Sequence, residues 1–341
     1  MKNYPALLAC LLWGVTTSAA AQKTLDKSCF QSTPVFSEDF SYASVNDEQF
    51  KARWATEFYT GINNNSTEYA SASQLELLPQ QGCIKLRTNR LTLEQRQAAT
   101  AAAAANGVMR PGPVPPGTSA TAASPNGGSI GYASCKLISK VAVDSVRPAV
   151  GNKFEGFTYG LFEIRCKLPN SGQGIMPAFW LQSPSTEIDI VDNLNEIPHR
   201  LLQVGVLDWV KRNTECGGET ADVTCWTKGT QAYKNGPDLS QEFNTYSAVW
   251  SRKRVVFYFN DQHVLTVSAK SVKTYNETAR IIVNVGTRGA DSFASGEMII
   301  DYIRVWKFKS PAAMLAYRSL RRHQVSRREQ DQRQEGVNSV K

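Results

Sequence analysis

Strict alternation of apolar and charged residues along one short segment is the feature that most constrains the fold. In LFEIRCKL, residues 161–168, every second residue is apolar and the residues between them are Glu163, Arg165 and Lys167. A period of two is the side-chain spacing of an antiparallel strand with one face on a core and one face toward water. The segment therefore predicts a half-buried strand in an antiparallel sheet.

Further segments repeat this strand character along the chain. QLELLP and CIKLRTN read as short strands, RVVFYFNDQHVLTV reads as a hairpin that turns at Asn260-Asp261, and MIIDYIRVWKF reads as a strand that closes the domain. The sequence has no βαβ alternation and no GxGxxG motif, which argues against a nucleotide-binding fold. The pattern predicts an all-β sandwich.

The N-terminal sequence MKNYPALLACLLWGVTTSAAAQ has a Lys, an apolar stretch and then small residues. This order is typical of a secretory signal and predicts cleavage after residue 21, with a buried N-terminal segment as the alternative. Six cysteines remain beyond residue 21, namely Cys29, Cys83, Cys135, Cys166, Cys216 and Cys225. An even number in a secreted chain predicts three disulfides, of which Cys216–Cys225 is the simplest pair, and buried free thiols are the alternative.

The excess positive charge is concentrated at the C-terminal end. The net charge is +8, and residues 307–341 hold nine Lys or Arg against three Asp or Glu. The rest of the chain is close to neutral, so we expect no nucleic-acid partner, and no apolar run is long enough for membrane insertion. Residues 91–128, rich in Ala and Pro, predict a surface insertion with a short helix at LEQRQAATAAAAANG, and residues 309–341 predict a basic tail that is flexible or helical.

The segment TEIDIVDN, residues 186–193, places three carboxylates in an apolar, β-branched run. Glu187 and Asp189 share one face of a strand because they are two residues apart. Asp192 lies at an odd offset and joins that face only if a β-bulge accommodates one extra residue. Three carboxylates in a row suit retaining glycoside hydrolysis, where two of them act as nucleophile and acid/base and a third shares a proton. An exposed acidic strand face or a calcium site is the alternative.

Several segments in combination resemble glycoside hydrolase family 16, of the β-glucanase and laminarinase type. They are YASCKLISK, GFTYGLFEIRCKLPNSGQGIMPAFWLQ, TEIDIVDN, EFNTYSAVWSRKRVVFYFNDQHV and IIDYIRVWK. The resemblance runs from about residue 36 to residue 307 and implies one domain over 29–308, interrupted by the insertion. It implies a secreted β-jelly-roll sandwich of two antiparallel sheets that acts on a β-linked polysaccharide, as an expected monomer, with no cofactor for catalysis.

The resemblance assigns a role to each carboxylate. Glu187 matches the family's nucleophile and Asp189 its assisting carboxylate. Asp192 stands where the bulged family motif E-x-D-x-x-E has its acid/base Glu, and Asp is one methylene shorter, by about 1.5 Å. A misplacement of about 1 Å can cost on the order of 100-fold in rate, so a polysaccharide-binding protein that has lost turnover is the rival interpretation.

Other positions near the expected cleft also depart from the family. Met176 stands where the family usually has Trp, Asn244 where it often has His, and Leu207 or Asp208 near a second common His. These differences favour an unusual substrate or a weakened enzyme.

The resemblance also implies residues that bind substrate and metal. Trp180 and Phe179 are candidates for stacking on sugars, and alternation allows only one of them, for which we choose Trp180, to face the cleft. Asn65, which also lies in the glycosylation triplet Asn65-Ser66-Thr67, and Trp209 are further substrate-binding candidates. A structural calcium would be held by Asp39 and Asp301, with a salt bridge of Asp301 as the alternative.

Overall fold

The computed structural model of the chain describes residues 24–56, 62–63, 68–105, 131–140, 156–170, 174–193, 201–214, 226–232, 238–287 and 295–317. The strands are β1 (Phe36–Glu38), β2 (Trp54–Ala55), β3 (Ile62–Asn63), β4 (Glu68–Ala70), β5 (Leu75–Leu78), β6 (Cys83–Arg90), β7 (Tyr132–Ser139), β8 (Gly160–Lys167), β9 (Ile175–Gln182), β10 (Thr186–Asp192), β11 (Leu201–Asp208), β12 (Trp226–Ala232), β13 (Asn244–Ser251), β14 (Arg254–Phe259), β15 (Gln262–Ser268), β16 (Arg280–Thr287) and β17 (Ser295–Trp306). The helices are α1 (Glu48–Arg53), α2 (Leu93–Ala105), α3 (Trp209–Thr214) and α4 (Pro311–Ala316).

Most strands form two antiparallel sheets joined through β7, and β4, which pairs with β3, lies parallel to the start of β7. Sheet 1 follows the order β5–β6–β17–β8–β13–β14–β15, with β1 also beside β17. Sheet 2 follows the order β12–β11–β10–β9–β16–β7–β2. Strand β7 connects the sheets, because its first residues pair with β6 and its last residues pair with β16. The predicted jelly-roll sandwich is confirmed.

Side chains from the facing surfaces of the two sheets fill the core. Phe162 and Ile164 of β8 are fully enclosed and belong to the same apolar cluster as Phe179 and Ile188 of sheet 2. The alternation in LFEIRCKL therefore identified the core-facing side of β8 correctly. The hairpin of β14 and β15 also turns where predicted, with positive φ at Asn260 (46°) and Asp261 (60°), as a type I′ turn requires.

The opposite face of β8 differs from the prediction, because it is covered. Glu163 is only 1% exposed, and Lys27 of the N-terminal segment reaches it with Nζ 3.0 Å from Oε2. A second apolar cluster forms over this face from the segments before β1 and after β17, including Phe30 and Tyr317. The strand is buried on both sides here because each end of the described domain folds back onto sheet 1.

The insertion and the tail are each described in part. Helix α2 confirms the short helix predicted in the insertion, and residues 106–130 lie outside the described residues. Helix α4 begins the basic tail, and residues 318–341 lie outside, as does the predicted signal at 1–21. No helix in the described part of the chain has the length and apolar character needed to cross a bilayer.

The prediction of three disulfides is wrong. Cys29, Cys83, Cys135 and Cys166 are free thiols, and the last three are buried. Cys135 and Cys166 point into the sandwich core, and the Cys135 thiol donates to the Arg87 carbonyl instead of a sulfur. Only Cys216–Cys225 could still pair, and it lies outside the described residues.

Candidate active site

Hydrogen bonds to Glu277 fix the turn that precedes the three carboxylates. The turn between β9 and β10 donates three hydrogen bonds to Glu277, from Ser183 Oγ at 2.9 Å, Ser185 N at 2.9 Å and Ser185 Oγ at 2.8 Å. The backbone N–H of Tyr275 also donates to Thr186 Oγ1 at 3.1 Å. These contacts fix where β10 begins and so hold Glu187 at a defined position on sheet 2.

A β-bulge in β10 places the third carboxylate on the same face as the other two. Asp189 lies opposite Trp180 on β9, but the pairing then shifts and Val191, not Ile190, lies opposite Phe179. Ile190 is the extra residue that the bulge accommodates. Asp192 consequently lies opposite Ala178. Since directly opposite residues share a face, all three carboxylates lie on the outer face of sheet 2, the face that points away from the core.

The three carboxylates differ in exposure. Asp189 is buried, at 4% exposed, whereas Glu187 and Asp192 on either side of it are half-buried. The outer two carboxylates are partly accessible to solvent.

The length of Asp192 matters because the backbone separation is large. The opposite residues Gln182 and Ala178 are four residues apart on β9, which places their Cα atoms about 13 Å apart at roughly 3.3 Å per residue. Retaining catalysis needs the carboxyl groups of Glu187 and Asp192 to converge to about 5–5.5 Å. A retaining mechanism would require the two side chains to lean toward each other, and the shorter Asp has less reach.

Trp180 and Phe179 occupy opposite faces of β9. Trp180 is half-buried on the outer face, directly opposite Asp189. Phe179 is 0% exposed in the core. The prediction that Phe179 stacks on a sugar is therefore wrong, because the alternation of side chains along β9 directs its ring into the core. The role of Trp180 stays a prediction.

The other two substrate-binding candidates lie away from the row of carboxylates or outside the described residues. Trp209 begins α3, after the end of β11, and its backbone N–H donates to the Ser185 carbonyl at 3.1 Å. Trp209 therefore flanks the turn that precedes Glu187 and is not part of the row of carboxylates on β10. Asn65 lies outside the described residues.

The departures from the family pattern have distinct locations. Met176 is half-buried on the outer face, opposite Gly286, and Leu207 lies opposite Glu187. Asp208 accepts a hydrogen bond from the Tyr275 hydroxyl at 3.3 Å. Asn244 lies on sheet 1, where its Oδ1 accepts from Asn260 Nδ2 at 2.8 Å. Met176 and Leu207 thus share the outer face with the carboxylates, and both are apolar.

Four polar residues of the outer face were not singled out from the sequence. The Arg280 guanidinium donates to Gln182 Oε1 at 2.6 and 3.1 Å, in register with Glu187. Asn284 lies opposite both Ala178 and Lys136, so Lys136 continues the row that begins at Asp192. For Asn284 and Lys136, the available signal in the sequence was an amide or a charged residue inside the strand segments IIVNVG and SCKLIS.

Lys136 is an unusual group for this position, because it is 4% exposed. Burial lowers the pKa of Lys136 to about 7; the Glu68 carboxylate opposes this change and the Arg280 guanidinium adds to it. Glu68 is itself buried and accepts from the Thr287 N–H at 2.6 Å. These contacts attach β4 to the end of β16 beside the outer face.

Replacing Lys136 with Met is expected to remove a rise in stability with pH. Between about pH 7 and the ordinary value of 10.5, only the unfolded chain keeps the lysine proton, so the free energy of unfolding rises with pH. The parent should gain about 1.4 kcal/mol per pH unit relative to Lys136→Met in this window. Chemical denaturation at pH 6 to 10 measures this, and Lys140→Met, at an exposed lysine directly after β7, should keep the slope of the parent. Equal slopes for the parent and Lys136→Met would contradict the assignment.

The predicted calcium ligands are held by other partners. The Asp301 carboxylate forms an ion pair with Arg165, and Asp39 accepts from Ser41 Oγ at 2.8 Å. The residues that the structure describes include no group of three His, Cys, Asp or Glu arranged to hold a metal ion. For Asp301 the salt bridge considered as the alternative is observed, and calcium binding by Asp39 and Asp301 stays a prediction.

The sandwich is a β-jelly roll that carries a row of three carboxylates on the outer face of sheet 2. Residues 144–304 match the model of the family described as Glycosyl hydrolases family 16. The predicted resemblance to this family is therefore confirmed. A relative in sequence is the Endo-1,3-1,4-beta-glycanase ExsH of Rhizobium meliloti, 28% identical over 159 residues. That alignment covers 44% of this chain and 30% of the relative, so less than a third of the relative's length is matched.

Solved structures with similar folds include two endo-glucanases. The catalytic domain of an endo-1,3-beta-glucanase (laminarinase) from Thermotoga petrophila RKU-1 has a TM-score of 0.56 at 20% identity, covering 82% of this chain and 100% of that chain. The endo-beta-1,3-glucanase from Pyrococcus furiosus has a TM-score of 0.57 at 18% identity, covering 84% of this chain and 99% of that chain. At these identities the likeness establishes the fold.

Proposed function

We propose that the protein is a secreted, endo-acting glycosidase that hydrolyses a β-linked polysaccharide of the β-1,3- or β-1,3/1,4-glucan type with retention of configuration. The observation that carries the proposal is the bulge at Ile190, because it brings Asp192 onto the face that holds Glu187 and Asp189. The printed activities of the similar proteins, a β-1,3-1,4-glycanase and β-1,3-glucanases, support the choice of substrate.

Each carboxylate has one task in this mechanism. Glu187 attacks the anomeric carbon and forms a glycosyl ester, while Asp192 protonates the departing glycosidic oxygen. Asp192 then takes a proton from water, which attacks the same carbon and releases Glu187. Asp189, buried between them, holds Glu187 in place and balances the proton that the three groups share.

Trp180 supplies the binding surface in this mechanism. Its half-buried ring lies opposite Asp189, at the centre of the carboxylate row. An aromatic face can pack against the apolar face of a pyranose ring, which would hold the sugar across Glu187 and Asp192.

A glucan-binding protein with weakened turnover is the second candidate. The shorter Asp192 favours it, since the wide backbone separation leaves little spare reach for an acid/base group. The same face and the same Trp180 would then bind the polysaccharide without cleaving it.

One incubation experiment separates the two candidates. The chain from residue 22 onward is incubated with β-1,3-, β-1,3/1,4- and β-1,4-glucans and with galactans, and the products are sized and their anomeric form is followed by NMR. The enzyme proposal expects internal cleavage of one glucan class and a first product that keeps the β configuration. Binding without cleavage supports the second candidate, and an inverted product contradicts the double displacement.

The proposal extends to where the protein works. The signal pattern at residues 1–21 and the polymeric substrate point to an extracellular or cell-wall location, with a monomer as the expected state. Detection of the processed chain outside the producing cells tests the location.

A further inference from the structure

The indole of Trp180 is held by one hydrogen bond from a neighbouring strand. Its Nε1–H donates to Asn284 Oδ1 at 2.9 Å. Trp180 lies opposite Ile282 on β16, and Asn284 lies opposite Ala178 on β9, so the two side chains are diagonal neighbours on the outer face of sheet 2. Asn284 is 5% exposed in an otherwise apolar strand segment. A buried amide inside such a segment costs free energy unless its hydrogen bonds are made.

The contact connects the ring to the carboxylate row. Trp180 is opposite Asp189, and Ala178, the partner of Asn284, is opposite Asp192. An indole side chain has two rotatable bonds, and a hydrogen bond at its edge restricts rotation about the second one. The hydrogen bond to Asn284 therefore restrains the orientation of the indole beside the carboxylate row.

We propose that Asn284 is a positioning residue that orients the Trp180 ring for stacking against a sugar of the bound glucan. Asn284 acts through the indole and not by contact with the sugar. This inference rests on the proposed function for its ligand, a β-linked glucan chain, while the hydrogen bond that carries it is independent of any ligand.

Two substitutions separate orientation from packing. Asn284→Ala removes the acceptor, whereas Asn284→Asp keeps an oxygen at the acceptor position, and Lys136 directly across from it can balance the added charge. Binding of a β-1,3-linked glucohexaose is measured by calorimetry in the Glu187→Gln background, so that turnover does not interfere. The loss of one hydrogen bond predicts roughly 3- to 10-fold weaker binding for Asn284→Ala. Asn284→Asp should stay within about twofold of the parent, because the acceptor is retained.

A double-mutant cycle tests the route of action. In the Trp180→Phe background the indole donor is absent, so Asn284→Ala should weaken binding no further. A further loss of the same size would show that Asn284 contacts the glucan or supports the sheet by itself, and would overturn the proposal.

A measurement without ligand makes the result independent of the proposed function. The Trp180 indole N–H resonance, assigned by its loss in Trp180→Phe, should shift in Asn284→Ala and stay near its parent position in Asn284→Asp. An unchanged resonance in Asn284→Ala overturns the inference even if the protein binds no glucan. Failure of every glucan to bind, with the predicted resonance shift present, contradicts the proposed function alone.

Discussion

Replacing Glu187 with Gln is expected to lower the rate of glucan hydrolysis by roughly 10³-fold or more, because the nucleophile of the double displacement is lost. Gln has the same shape and leaves the row of outer-face side chains intact, so substrate binding should change little. Initial rates on the glucan that the parent cleaves, together with calorimetric binding of an oligosaccharide, measure both quantities. The expected signature is a large fall in kcat with a nearly constant Kd.

A control distinguishes lost chemistry from lost structure. Glu187 is half-buried on the outer face of sheet 2, so the substitution should leave the thermal unfolding midpoint within a few degrees of the parent. Gln182→Glu, at the position directly opposite Glu187, adds a carboxylate on the same face. It should not restore activity to Glu187→Gln if attack comes from position 187 alone. Substantial activity in Glu187→Gln itself would remove Glu187 from the mechanism.

Replacing Asp192 with Asn should produce a loss that depends on the leaving group. General acid catalysis contributes about 10²–10⁴-fold, so hydrolysis of a natural glucan should fall by that factor. A dinitrophenyl glycoside leaves without a proton, so formation of the glycosyl-enzyme should slow by less than about tenfold. The second step still needs a general base, and a rapid burst of dinitrophenol followed by a slow phase is expected. Equal losses on both substrates would show that Asp192 is not the acid/base.

Asp192→Glu is the matched variant, because it lengthens the side chain by one methylene. If the shorter reach of Asp192 limits the rate, the variant should hydrolyse glucan up to about 100-fold faster than the parent. A parent without activity beside an active Asp192→Glu would support the binding protein in place of the enzyme.

The sandwich could be predicted from sequence because its signals are local. Alternation in β8, the Asn260-Asp261 turn and the carboxylates of β10 each follow from a few adjacent residues. The bulge could be stated only as a condition. The sequence shows an odd offset between Asp189 and Asp192, and the register with β9 decides how it is accommodated.

Features that depend on distant segments were not predicted. Glu163 reads as an exposed strand residue, but it is buried and its ion pair is with Lys27, 136 positions away. The absence of a disulfide at Cys135 and Cys166 also depends on packing, since both thiols point into the core from different strands. Asn284 and Trp180, 104 positions apart, become partners only when β9 and β16 are adjacent.

In the proposed mechanism Glu187 and Asp192 act together on one sugar from a single face of sheet 2. The most direct measurement is mass spectrometry of peptides from the Asp192→Asn variant after brief reaction with a dinitrophenyl β-glucan oligosaccharide. The mechanism predicts a glycosyl ester on the peptide that contains Glu187, at the level of the dinitrophenol burst. A burst whose sugar is attached to a different residue, or hydrolysis with no ester while the anomeric configuration inverts, would contradict it.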